Sequence, residues 1–226
     1  APGASTVNCP AAAAVQPAGP GGVTDMCGNT VTPVITSSAA VACEGNRVWT
    51  FTYTDCASNV VAWTYTYTVD MPTFAIATAP GASTVNCPAN AAVQPAGPGV
   101  VTDLCGNTVT PVVTSSAAVV CEGSRVWTFT YTDCASNVVA WTYTYTVDMP
   151  TFAIATAPGA STVNCPADAA VQPAGPGVVT DQCGNTLTPV VTSSAAVACE
   201  GDRVWTFTYT DCASNVVAWT YTYTVD

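Results

Sequence analysis

Hydrophobic and polar positions alternate most strictly between Arg47 and Asp70. Trp49, Phe51 and Tyr53 are interleaved with Thr50, Thr52 and Thr54, and Trp63, Tyr65 and Tyr67 with Thr64, Thr66 and Thr68. A period of two sends alternate side chains to opposite faces of a pleated strand. The intervening DCASN supplies turn formers, so the segment predicts a β-hairpin with an aromatic face and a threonine face. The aromatic face requires a core to cover it.

The same hairpin pattern recurs at 125–148 and 203–226. Cys9, Cys87 and Cys165 are spaced 78 residues apart, as are the series beginning at Cys27, Cys43 and Cys56. Residues 1–70, 79–148 and 157–226 align without a gap and differ at only seven positions, and MPTFAIAT fills both 71–78 and 149–156. Such a period is too long for a solenoid turn and predicts a compact β-sandwich module, repeated three times. The expected modules are 1–70, lacking its first strand, 71–148 and 149–226, with Phe74–Thr78 as the first strand of the module that follows it. Because the chain stops where another MPTFAIAT would begin, its phase reads as an excerpt from a longer repeat array.

Within a module, short strands are expected at Ser5–Cys9, Thr30–Ser37 and Ala39–Cys43. Pro33 puts the second of these at an edge or a bulge. AAAAVQPAGPGG is too rich in proline and glycine to hold a regular element, its alanines notwithstanding. Val23–Asn29 reads as a turn.

A module of this size buries a thin core and needs staples. Twelve cysteines in a chain with no lysine and no histidine point to disulfides in an oxidising, extracellular setting. Zinc is disfavoured because neither a CxxC pair nor a histidine is present. Chain direction puts Cys27 and Cys56 at one end of a module and Cys9 and Cys43 at the other. The expected pairs are therefore Cys9–Cys43, Cys27–Cys56, Cys87–Cys121, Cys105–Cys134, Cys165–Cys199 and Cys183–Cys212. Cys9 with Cys56 and Cys27 with Cys43 remains open.

The net charge of -11 leaves no basic patch for nucleic acid. No apolar run approaches the length of a membrane span, so membrane insertion is not expected. Without histidine or lysine the usual general bases and Schiff-base formers are missing, and no enzyme is expected. Asp25 and Asp55 converge on one end, where a carboxylate pair could be offered to Ca²⁺. Two carboxylates are few for that ion, and capping of their own turns is favoured, so no cofactor is expected. Arg47 beside Glu44 suggests a local ion pair, worth little if exposed.

Thr50, Thr52, Thr54, Thr64, Thr66 and Thr68 form a candidate surface-binding face, for ice or polysaccharide, whose bland counterpart is an uncharged strand surface. Trp49 and Trp63 could stack on sugars, but alternating aromatics on paired strands are more often core.

The order TVNCP, VTDxCGN, CEGxRVWTFTYTDCASN, WTYTYTVD resembles the tandem immunoglobulin-like (HYR-type) repeats of long cell-surface and adhesin-like proteins of Bacteroidota. The resemblance covers all three copies. It implies immunoglobulin-like sandwiches, secretion to the cell surface, and a role as stalk or filament in adhesion or gliding. The expected function is a structural extracellular repeat protein, partnered by neighbouring modules or by itself, with glycans as the alternative partner.

Overall fold

The computed structural model describes residues 1–226. The first copy contains β1 (Gly3–Val7), α1 (Pro10–Ala13), β2 (Val34–Ser37), β3 (Gly45–Thr54) and β4 (Val60–Val69). The second contains β5 (Gly81–Val85), α2 (Pro88–Ala91), β6 (Pro111–Ser115), β7 (Gly123–Thr132) and β8 (Val138–Val147). The third contains β9 (Gly159–Val163), α3 (Pro166–Ala169), β10 (Val190–Ser193), β11 (Gly201–Thr210) and β12 (Val216–Val225).

Each copy forms one four-stranded sheet, ordered β1-β4-β3-β2 in the first. The hairpin β3–β4 and the pair β2–β3 are antiparallel, and β1 joins β4 in parallel. The chain is thus all-β, as its alternation requires. Two compact units divide it. One comprises Ala1–Pro80, Ala96–Thr114 and Thr128–Trp141, and the other Gly81–Pro95, Ser115–Trp127 and Thr142–Asp226. Each unit therefore holds a whole outer copy and one end of the middle copy.

Hairpin register sets Trp49 opposite Tyr65 and Phe51 opposite Trp63, so the aromatics share one face. Phe51 and Trp63 meet edge-on with ring centroids 5.3 Å apart, the favoured arrangement for ring quadrupoles. Irregular segments cover this face, making the module sandwich-like with a single hydrogen-bonded sheet. In the third copy the cover includes Phe152 from the connector, buried with Val179, Phe207, Tyr209 and Trp219. The connector is not a ladder strand as expected, yet it contributes a core side chain.

Every tryptophan N–H also holds the cover in place. Trp49 Nε1 donates to the Ala13 carbonyl at 3.2 Å, and Trp63 Nε1 to that of Ala1 at 2.7 Å. These bonds assign the indoles to structure.

Three local expectations are corrected. Pro10–Ala13 is a helical turn rather than a loop. Its proline sits in the first turn, where the missing N–H costs nothing, and Ala13 is fully buried. Ala39–Cys43 is irregular rather than a strand. The second strand begins at Val34, after Pro33, in the first copy and on the equivalent Pro111 in the second, so the proline marks the start of an edge strand, where a missing N–H is tolerated.

Candidate functional site: the module junction

Two turns build the leading end of each copy, and both obey one rule. Asp25 Oδ1 accepts from the N–H groups of Cys27 and Asn29 at 2.8 and 2.9 Å, while Oδ2 accepts from Asn29 Nδ2 at 3.0 Å. Asp55 repeats this with Ala57 and Asn59. The fourth residue of each turn has positive φ, 83° at Gly28 and 66° at Ser58. The aspartates thus cap their turns. The Asn29 amide holds the Asp25 carboxyl below its ordinary value of 3.8, and Asn59 does the same for Asp55 against a smaller opposing push from Asp25. At Asp103 and Asp181 desolvation pushes the carboxyl up, but the bonds from Asn107 and Asn185 and from nearby backbone N–H groups outweigh it, and both remain below 3.8.

The trailing end of each copy holds the other two cysteines. Cys9 follows β1, whose last residue Val7 pairs with Val69, and Cys43 precedes β3 and packs against Val69, which is buried with Ala13 and Met71. The expected division of cysteines between the two ends is therefore what the fold produces. The expected pairing within a copy is not. The bridges are Cys9–Cys105, Cys43–Cys134, Cys87–Cys183 and Cys121–Cys212. Cys27, Cys56, Cys165 and Cys199 are free and exposed. None of the pairs Cys9–Cys43, Cys27–Cys56, Cys87–Cys121, Cys105–Cys134, Cys165–Cys199 and Cys183–Cys212 forms.

The physical reason lies in head-to-tail succession. The trailing end of one copy meets the leading end of the next, bringing Cys9 and Cys105 to a Cα separation of 5.6 Å and Cys43 and Cys134 to 5.8 Å, both within bridging range. Each bridge spans 96 or 91 residues of sequence. In the chain-entropy model a loop of roughly 100 residues contributes about 4.7 kcal/mol, against roughly 3.5 kcal/mol for one of about 30. Crosslinks between neighbours constrain the unfolded chain more than crosslinks within a copy would.

Met71 is the centre of this junction. It is 3% exposed, and its Sδ lies 3.6 Å from Cys43 Sγ and 3.6 Å from Cys134 Sγ. Its N–H donates to Glu44 Oε1 at 3.1 Å, and its carbonyl accepts from Asn137 Nδ2 at 3.1 Å. The connector is therefore gripped by the copy before it through Glu44 and by the copy after it through Asn137. The second unit repeats the arrangement with Met149, Glu122 and Asn215.

Arg47 does not pair with Glu44, which is occupied by the connector. Its guanidinium carbon sits 5.2 Å from the Trp49 ring centroid and its Nη2 donates to Ser37 Oγ. This is a cation–π contact on the aromatic side of the sheet.

The threonine face is interrupted. Thr50 lies opposite Thr64, with Thr36 opposite Thr50 on the other side. Thr52 faces Ala62, Thr54 faces Val60, Thr66 faces Val48, and Thr68 faces Asn46. Antiparallel register pairs residues whose numbers sum to a constant, so runs of equal phase need not meet residue for residue.

Among solved structures the chain is similar to protocadherin gamma C5 EC1-3 at 8% identity, covering 88% of this chain and 79% of that one, with a TM-score of 0.28. It is also similar to mouse clustered PcdhgC3 EC1-3 at 8% identity, covering 81% and 77%, with a TM-score of 0.25. Scores this low leave the description of the fold unchanged. No curated protein matches the chain. The family described as HYR-like domain with 4 cysteines matches residues 1–69, 75–147 and 153–225, and the chain belongs to that family as three consecutive domains.

Proposed function

We propose that this protein is a segment of an extracellular stalk or filament, non-enzymatic, whose modules, bounded near 70–71 and 148–149, transmit tension through covalently bridged junctions. Disulfides persist in oxidising surroundings, which supports a location outside the cell. No helix is long and apolar enough to cross a membrane.

The observation that carries this reading is that bridges link neighbouring copies. The shortest covalent route from Ala1 to Asp226 runs through Ala1–Cys9, Cys105–Cys121 and Cys212–Asp226. At roughly 3.4 Å per residue that route extends to about 140 Å, against roughly 770 Å for the unbridged chain. Load bypasses most of each module, so modules yield only slightly before the bridges bear the force.

Single-molecule stretching of the chain held at its termini tests this directly. The oxidised chain stops extending near the bridged contour, and addition of reductant releases roughly 630 Å more. A chain that extends fully while oxidised would refute the load-bearing role.

A further inference from the structure

The second copy carries a groove that no cysteine lines. It measures about 510 Å³, a size typical of ligand clefts, and opens between the loop 96–101 and the segment 108–111 at the start of β6. Phe129 and Tyr131 of β7 form its floor. The Thr78 hydroxyl steadies the loop wall by donating to the Pro98 carbonyl at 3.0 Å. Gly97 leaves the floor uncovered, since a Cβ there would sit 3.3 Å from Phe129 Cε1 and 3.7 Å from the Tyr131 hydroxyl oxygen.

Tyr131 has a polar atom with nothing to serve. It is 2% exposed, and its hydroxyl has no hydrogen-bond partner; burial alone pushes its phenol up from 10.0. Buried tyrosine hydroxyls ordinarily find a partner, and one that lacks it is poised for an acceptor brought in from outside. The first copy repeats the groove at about 350 Å³, with Gly19, Phe51 and Tyr53 in the same places.

The lining narrows the class of ligand. No charged side chain reaches the groove, and the rim adds only the exposed hydroxyls of Thr108 and Thr110. Two of the seven positions at which the copies differ belong to it: Gly22 in the first copy is Val100 in the second, and Val109 in the second is Leu187 in the third. Both exchanges are apolar, so the wall changes size and stays neutral. A net charge of -11 repels anions, and a cation would find no counter-charge in the groove. A sugar ring would bring more hydroxyls than so apolar a lining can satisfy. An extended proline-rich peptide meets every condition. Its rings are apolar, its prolines have no N–H to leave unpaired, and its carbonyls are free to accept because the polyproline conformation makes no internal hydrogen bonds.

We propose that this groove binds a neutral, proline-rich extended segment of a partner protein, one carbonyl of which accepts from the Tyr131 hydroxyl. Grooves with aromatic linings take such segments because the peptide is already ordered and loses little freedom on docking. The site does not depend on the stalk reading, since it lies within a copy and would serve a tether or any other array.

The test titrates the native oxidised chain with an acetylated and amidated hexaproline peptide, read site by site from backbone amide shifts. The expected result is saturable movement of the Gly97, Gly99 and Val109 amides. Tyr131→Phe, which keeps the ring, weakens binding at those amides about fivefold, as loss of one hydrogen bond does, and leaves the response at Gly19 and Gly21 unchanged. Gly97→Val fills the cradle and abolishes the response in the second copy alone. No saturable movement at Gly97, an equal response to a glycine-serine hexapeptide, undiminished binding by Tyr131→Phe, or saturation by cellohexaose in place of the peptide would each overturn the proposal.

Discussion

Asn137 donates its side-chain N–H to the main-chain carbonyl of Met71 at 3.1 Å, so a turn of the second copy binds the backbone that leaves the first. Its other bond, to Asp133 Oδ2 at 3.0 Å, belongs to the turn itself. One amide thus serves local structure and the junction together. The junction is built from turn residues, a connector and two bridges, and its bridging cysteines act only between copies.

Met71→Ala removes a buried side chain that fills the space against Val69, Ala13 and the Cys43–Cys134 bridge. The expected loss is about 2–5 kcal/mol in the oxidised chain, measured as a shift in the denaturant midpoint. Phe74→Ala, deeper in the connector, is the companion change; no loss at either position would remove the connector from the core.

Gly3 lies against the Tyr65 ring, and a Cβ there would collide with ring carbons. Gly3→Ala forces the ring or β1 aside and is expected to cost roughly 1–3 kcal/mol, as overpacking does. Thermal unfolding of Gly3→Ala beside Gly22→Ala, where the added carbon meets nothing and φ is not positive, separates the clash from a general effect of losing glycine.

Trp49→Phe keeps a ring under Arg47 but loses the N–H bond to the Ala13 carbonyl. A net cost of about 1 kcal/mol is expected by equilibrium unfolding. The exchange rate of backbone amides at the end of α1 should rise with it.

The carboxyls of Asp103 and Asp181 titrate below 3.8 in the folded chain. A depressed folded value means that their stabilisation is fully present above 3.8, where both folded and unfolded forms are ionised. It is lost as pH falls through the folded value. The melting temperature should therefore drop below about pH 4, and Asp103→Asn should flatten that drop in the first unit while lowering stability at neutral pH. An unchanged acid profile in the variant would show that the turn carboxylate is not what titrates.

Much of the hairpin was legible because its physics is local. Alternation from Trp49 to Tyr53 and from Trp63 to Tyr67 fixes which side chains share a face, and DCASN closes the turn. The capping role of Asp25 and Asp55 was legible for the same reason, since each carboxylate binds groups within four residues of itself. The helical turn at Pro10–Ala13 was missed because its support is distant: Trp49 reaches back 36 residues to hold it.

By itself the sequence determined three copies, an all-strand hairpin core, aspartate-capped turns and the sorting of cysteines into two ends. All of these follow from spacing and side-chain type within one copy. Only the tertiary structure decided which sulfurs meet, that the connector's Met71 sits between two bridged neighbours, and that Thr50 but not Thr52 finds a threonine across the hairpin. Near-identical copies present the same cysteines at the same phase. A bridge inside a copy and a bridge to the next are indistinguishable along the chain, and only the distance between folded ends separates them.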